Sequence, residues 1–241
     1  MPLELQATER VVLVTGATGS LGRAVSHTFA SEGAYLVLNA RHQAALDALA
    51  AELEIRDERL LVLGADVTDP ESVYHLIQAA EQRFGHVDVL AHIAGGFATN
   101  NAVAELDVEQ WHQMLHLNLE SAVYMARAVL PGMIARGYGK LVFVGSRAAE
   151  RPFPGSLGYA VSKAGLEVLV KTLAAENKRK GINTNMVTLT MLDTEANRQA
   201  NPEGNFEEWV DPVDVAAVIR FLAGDGAKAI HGAIVPVWGV L

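Results

Sequence analysis

The 241-residue sequence predicts an α/β fold, a doubly wound parallel sheet of about seven strands with helices on both faces, formed as a single domain over 1–241. Three features carry that expectation. Short runs rich in Val and Leu alternate with longer stretches of helical spacing. The runs are apolar at nearly every position, as strands must be when both of their faces are covered. A glycine-rich turn also stands between the first run and the first helical stretch, where a parallel sheet makes its first crossover. Half of the residues are hydrophobic and 20% are charged, enough for one well-buried core, while the length is short for two full domains.

Along the chain, the first strand is expected at 11–14 and its helix through 23–31. A second strand at 35–38 leads to a helix in which Leu46, Leu49, Ala50 and Leu53 recur at i, i+3, i+4 and i+7, the apolar face of an amphipathic helix. Strands follow at 60–63, 87–91 and 140–144. Leu166, Leu169, Val170 and Leu173 repeat the helical spacing before a sixth strand at 183–188, and a seventh is expected at 234–237. These strands leave room for about six helices. Pro70, Pro131 and Pro212 mark places where helices should begin or end, because proline suits a first turn but removes a hydrogen bond from an interior. The stretch 190–209 differs in kind. Asp193, Glu195, Asn197, Asn201, Pro202, Glu203, Gly204 and Asn205 make it polar and turn-rich, so it is expected either to cover a site as a lid or to be a solvated excursion.

With 28 acidic and 19 basic side chains the net charge is −9, which argues against a broad surface for nucleic acid or anionic lipid. The absence of cysteine excludes a disulfide framework, a thiolate metal site and a catalytic thiol. Residues 1–9 carry acids where a secretory leader needs a basic start and an apolar run, and no segment approaches the ~18 uninterrupted apolar residues of a membrane span. A soluble, cytoplasmic protein is therefore expected. No metal site is expected: His112 and His116 would share a helix face, yet they lack the intervening Glu of a hydrolytic zinc helix and any nearby third ligand.

The turn after the first strand reads Thr15-Gly16-Ala17-Thr18-Gly19-Ser20-Leu21-Gly22. Its bare backbone, with a helix N-terminus behind it, suits the pyrophosphate of a dinucleotide, so Gly16, Thr18, Gly19, Ser20, Leu21 and Gly22 are candidate binding residues. The second strand ends Asn39-Ala40-Arg41; an acid there would bind a ribose 2′-hydroxyl and an arginine a 2′-phosphate, so NADP(H) is favoured over NAD(H). In Tyr159-Ala160-Val161-Ser162-Lys163 a phenol and an ammonium share one helix face, and a cation favours ionisation of a phenol whose pKa is ordinarily about 10. Such a pair can act as a general acid/base unit. Arg147 and Arg151 flank this stretch, open to contact with an acidic substrate or to plain solvation.

The glycine turn, Asn118, Ser146 and Tyr159-x-x-x-Lys163, with the tyrosine 13 residues after the serine, together resemble the short-chain dehydrogenase/reductase family over essentially the whole chain. The resemblance implies a Rossmann-type sheet and NAD(P)-dependent hydride transfer between the cofactor and a small-molecule carbonyl or alcohol, such as a ketone or a 3-oxoacyl-like compound. It implies that Tyr159 gives or takes the proton, that Ser146 hydrogen-bonds the substrate oxygen, that Lys163 holds the nicotinamide ribose and lowers the phenol's pKa, and that Asn118 anchors a water-linked proton path. It also implies adenine contacts from Asp66 and Val67, backbone contacts from Ala94 and Gly95, and a carboxamide contact from Thr194. Helices around 107–130 and 159–178, more apolar than one sheet contact needs, would join copies into a homodimer or homotetramer.

The glycine spacing is that of the family's extended members, whereas the length suits its short ones. His92-Ile93-Ala94-Gly95 stands for the family's Asn-Asn-Ala-Gly, and Leu189-Thr190 for its Pro-Gly. These departures keep open a non-catalytic dinucleotide-binding sensor or scaffold. Ala94-Gly95-Gly96-Phe97, with Leu192-Asp193-Thr194, Asn197-Arg198, Pro202 and Trp209, is also similar to the dihydropteridine reductase branch, which makes reduction of a quinonoid pterin the other alternative; Ser146 and Arg41 depart from that branch.

Overall fold

In the strand Val11–Thr15 every residue is buried, and its side chains alternate between two cores: Val12 and Val14 enter one, Val11 and Leu13 the other. Burial on both faces is why the sequence shows a continuous apolar run there and not an alternating one. The computed structural model describes residues 10–239. Its strands β1 (Val11–Thr15), β2 (Tyr35–Ala40), β3 (Leu60–Gly64), β4 (Val89–His92), β5 (Gly139–Ser146), β6 (Ile182–Leu189) and β7 (Ile234–Val237) form one parallel sheet in the order β3-β2-β1-β4-β5-β6-β7.

Helices α1 (Ser20–Ser31), α2 (Gln43–Glu52) and α8 (Pro212–Ala223) cover one face, bringing Val25, Leu46, Leu49 and Ile219 into the core that holds Val12 and Val14. Helices α3 (Pro70–Phe84), α5 (Ser121–Arg136) and α6 (Leu157–Asn177) cover the other with Leu76, Met125, Leu166 and Val170. The chain winds outward from β1 in one direction and from β4 in the other, which opens a crevice at the carboxyl ends of those two strands. Among the described residues no helix is long and apolar enough to cross a membrane.

All seven expected strands are present. β5 and β6 extend beyond their expected ends because their pairing continues through Gly145↔Thr188 to Ser146↔Leu189, so Ser146 sits on the sheet and not on a loop. Pro70 and Pro212 open α3 and α8 as expected, behind the capping aspartates Asp69 and Asp211. The Asp211 carboxylate accepts from Val213 N at 2.7 Å, and Asp211→Ala is expected to lower stability by about 1 kcal/mol, read as a lower midpoint in urea unfolding.

Pro131 corrects an expectation. It lies inside α5 and ends nothing. Both Pro131 and Arg127, whose carbonyl loses its amide partner, lie on the exposed side of the helix, where water can satisfy that carbonyl, while Val129 and Met133 hold the other side in the core. Helix α4 (Val108–Leu115) runs into α5 through a π-helical turn, His116–Glu120, so the two form one long element with a widened turn. The polar stretch 190–209 contains a short helix, α7 (Glu195–Ala200), and closes on itself: Leu192 bridges Val210, and the Arg198 guanidinium binds Asp193 through two hydrogen bonds of 2.6 and 2.7 Å.

Candidate active site

The glycine turn is built from close approaches. Gly16 has φ +65°, and a Cβ there would lie 2.8 Å from Ala94 N; a Cβ on Gly22 would lie 2.1 Å from Gly16 O. The turn is thus folded tightly against its own helix and against the segment after β4. Gly19 is the N-cap of α1 and offers no side-chain cap, and the first turn carries no acid. The leading N–H groups of α1 are left for an anion, favoured there by the helix dipole. Thr18, Gly19 and Ser20 lie at the surface of this turn, while Leu21 and Gly22 are buried beneath it. These features fit a dinucleotide pyrophosphate.

Arg41 is exposed just past the end of β2, before His42 caps α2, and it enters no salt bridge among the described residues. Its charge is felt by Asp66 beyond β3, whose carboxyl is held below its ordinary pKa first by the hydrogen bonds from Thr68 and then, more weakly, by Arg41. Val67 beside it is buried. Arg41, Asp66 and Val67 therefore share one end of the crevice. Thr194 lies beyond β6 at the start of α7, its hydroxyl oxygen accepting from Asn197 N at 3.1 Å and its proton still available to a ligand.

Asn118, Ser146, Tyr159 and Lys163 converge beside β4 and β5. Ser146 Oγ accepts from Ala148 N at 3.1 Å, and its hydroxyl beside Tyr159 favours the phenolate. The net direction for Tyr159 is nevertheless upward, because burial outweighs that effect. Lys163 Nζ lies 5.8 Å from the centre of the Tyr159 ring and donates to Val144 O at 2.9 Å; burial pushes its pKa down to about 8. A Cβ on Gly95 would meet Asn118 Oδ1 at 2.8 Å and Lys163 Nζ at 3.4 Å, so both side chains flank bare backbone. Asn118 sits in the π-helical turn, a device common at functional sites. Its amide is fully engaged, accepting from Gly96 N at 3.0 Å and donating to Gly96 O at 3.0 Å and Met114 O at 3.1 Å.

The sequence gives no hint of a further polar chain beneath the site. Thr15 Oγ1 accepts from Ile93 N and Ala94 N at 3.2 and 3.3 Å, so its own proton goes to His92 Nδ1 at 2.9 Å. His92 Nε2 must then carry the proton that reaches Ser121 Oγ at 3.2 Å, and Ser121 donates on to Leu117 O at 2.6 Å. Burial drives the His92 pKa down to about 3, in keeping with a neutral ring. His92, next to the apolar Ile93, thus ties the end of β4 to β1 and to α5. Only the exact spacing of the Thr15 turn and the His92 strand end could have signalled it.

Other candidates lie apart. The Arg147 guanidinium is stacked 4.9 Å over the Trp238 ring, Arg151 is exposed, and His116 pairs with Glu120 at 2.8 Å. A cavity of about 620 Å³ lies along the outer side of the first turns of α6, lined there by Leu157, Ala160, Val161 and Ala164, on the face turned away from Tyr159.

The profile described as short chain dehydrogenase matches residues 10–205. The chain is 29% identical to 3-oxoacyl-(acyl-carrier-protein) reductase FabG of Haemophilus influenzae, covering 96% of this chain and 98% of that protein. It is 30% identical to an NAD-dependent glycerol dehydrogenase of Listeria innocua, over 95% and 92% of the two chains. Among solved structures, a variant actinorhodin polyketide ketoreductase with NADPH superposes with a TM-score of 0.87 at 28% identity, over 97% of each chain. With the glycine turn, the parallel sheet and the Ser/Tyr/Lys cluster in place, the chain belongs to the short-chain dehydrogenase family and is an NAD(P)-dependent oxidoreductase acting on alcohol or carbonyl groups.

Proposed function

We propose that the protein is an NADP(H)-dependent reductase of ketones or 3-oxoacyl-like carbonyls, with Tyr159 as general acid. The observation that carries this reading is the convergence of Ser146, Tyr159 and Lys163 beside the bare backbone of Gly95. Ser146 Oγ accepts from Ala148 N, which leaves its own proton for a substrate oxygen placed next to the phenol, and the buried phenol keeps its proton to give. Gly16, Thr18, Gly19, Ser20, Leu21 and Gly22 would hold the pyrophosphate, Arg41, Asp66 and Val67 the adenosine end, and Ala94, Gly95, Tyr159, Lys163 and Thr194 the nicotinamide end. Bound there, the dinucleotide supplies the hydride. As the carbonyl π pair moves onto oxygen, the Tyr159 O–H bond breaks and the proton completes the alcohol; in the reverse direction the same phenol takes the proton back. Lys163, at about 8, is mostly protonated at neutral pH and opposes the charge left on Tyr159. Asn118 fixes Gly96 through two bonds, so a water-linked proton path at this residue would use its main chain. The stretch 190–209 serves as the lid.

The exposed apolar residues Val108, Val123, Val161 and Val168 along α4, α5 and α6 support assembly into a homodimer or homotetramer. The acidic net charge and the absence of a long apolar helix among the described residues support a cytoplasmic setting without membrane or nucleic-acid partners.

A panel of ketones, 3-oxoacyl thioesters and a quinonoid dihydropterin, run with NADPH and NADH, tests the reading. Reduction of ketone or thioester is expected. Turnover of the pterin alone moves the assignment to that alternative, and nucleotide binding without any turnover favours a sensor. Arg41→Ala is expected to weaken NADPH by about tenfold or more with little change for NADH, since it removes a charge-assisted contact to the 2′-phosphate. Equal weakening of both nucleotides, measured by fluorescence titration, removes Arg41 from that role.

A further inference from the structure

We propose that the substrate's body, beyond its reacting carbonyl, is an uncharged apolar ring, aryl or alicyclic, held between Phe97 and Phe153; this rests on the reductase reading of Tyr159. Phe97 and Phe153 are 58% and 45% exposed, although the fold buries Phe29 and Phe143 almost completely. A single exposed phenylalanine is ordinary, but these two meet each other, with centroids 6.2 Å apart at 48°, and Phe97 stands edge-on to the Tyr159 ring at 5.0 Å and 84°. The three rings come from three segments: the loop after β4, the loop after β5 and the start of α6.

The two exposed rings are presented by anchored backbone. Asn118 holds both the N–H and the C=O of Gly96, immediately before Phe97. Ser156 Oγ accepts from Phe153 N at 3.0 Å and donates to Phe153 O at 2.6 Å. Rings fixed at such tilts form a corner, and a planar or alicyclic ring entering it meets one edge and one face at the separations aromatic pairs prefer. Phe153 also lines the cavity of about 620 Å³, whose wall includes Pro152 and Pro154 with Asn100 and Asn101 and no charged side chain. An anionic body would lose its hydration there without meeting a cation, and a polyol would meet few partners, because the Asn100 and Ser156 side chains are already bonded to Asp107 and Phe153, whereas an apolar ring loses nothing by leaving water.

Ethyl benzoylacetate and ethyl acetoacetate separate the possibilities, because they share the reacting β-keto ester and differ only in phenyl against methyl. With the wild-type protein and NADPH, kcat/KM is expected to favour the phenyl ester by at least about tenfold. Phe97→Ala and Phe153→Ala are expected to bring that ratio toward unity, mainly through a higher KM for the phenyl ester, while Phe97→Tyr restores it. Reduction of both esters at equal kcat/KM overturns the inference and leaves the reductase reading standing; so does a ratio untouched in folded Phe97→Ala and Phe153→Ala. The wild-type ratio needs no variant to fold. If neither ester is reduced, the reductase reading is in question and calorimetric binding decides the inference separately: tighter binding of the phenyl ester, lost in Phe153→Ala, supports the ring site, and equal binding of the two esters overturns it.

Discussion

Tyr159→Phe is expected to lower kcat for carbonyl reduction by about 10²–10⁴-fold, the usual contribution of a positioned acid, while NADPH affinity stays near wild type. The substitution keeps the ring that meets Phe97 at 5.0 Å and removes only the hydroxyl. Ser146 Oγ keeps its bond from Ala148 N and loses only the phenol oxygen beside it. Stability is therefore expected to change by less than about 1.5 kcal/mol, which separates a chemical defect from a folding one. In the wild type the reduction rate is expected to fall as pH rises through about 8, where Lys163 loses the proton that opposes charge on Tyr159. The phenol itself stays protonated throughout that range because burial raises it. Turnover retained within a few-fold in Tyr159→Phe would assign the proton to another group.

The direction of the Tyr159 shift shows where reading the sequence stops. The i, i+4 spacing of Tyr159 and Lys163 correctly places both on one face of α6. Spacing alone suggests that the ammonium lowers the phenol. In the structure both groups are buried deeply enough that desolvation moves each toward its neutral form, the phenol up and the amine down, and the only favourable bond to the phenol comes from Ser146. Desolvation depends on what the rest of the fold stacks over a side chain, and no local pattern reports it.

The fold was legible for the opposite reason. A strand buried on both faces is apolar at most positions, so the Val and Leu runs of β1, β2 and β4 could be found without knowing their partners, although the equally buried β6 carries Asn183, Asn185 and Thr188. The π-helical turn at His116–Glu120 could not, because one extra residue in a turn changes hydrogen-bond partners without changing composition. Yet that turn sets the direction of Asn118 toward Gly96, and through Gly96 the position of Phe97. Pro131 misleads in a related way. Proline costs a helix one hydrogen bond, but on an exposed face that loss is met by water while buried neighbours keep the helix running.

His92 gives the second large effect, and its sign follows from the chain Thr15–His92–Ser121–Leu117. Every hydrogen in that chain has one direction available, which requires a neutral ring with its proton on Nε2. A folded-state pKa of about 3 against an unfolded value near 6.5 means that the unfolded chain binds the extra proton first as pH falls. This contribution to stability is intact above about 6.5 and is lost progressively below it, about 1.4 kcal/mol per pH unit, or roughly 3 kcal/mol by pH 4. His92→Gln keeps an amide donor and acceptor but cannot titrate. At pH 7 it is expected to cost about 1–3 kcal/mol through imperfect bonds to Thr15 and Ser121. Between pH 6.5 and 4 the wild type should lose that advantage, because the variant lacks this one proton while sharing every other titrating group. Urea unfolding of both proteins across this range measures the difference directly. Parallel loss of stability in the two would mean that His92 is not held neutral. A drop in kcat with His92→Gln at pH 7, with nucleotide affinity unchanged, would extend the role of the chain to positioning the turn that carries Asn118. Thr15 holds Ala94 at one end of that chain and Ser121 holds Leu117 at the other, so one buried ring spans the distance between the glycine turn and the catalytic cluster.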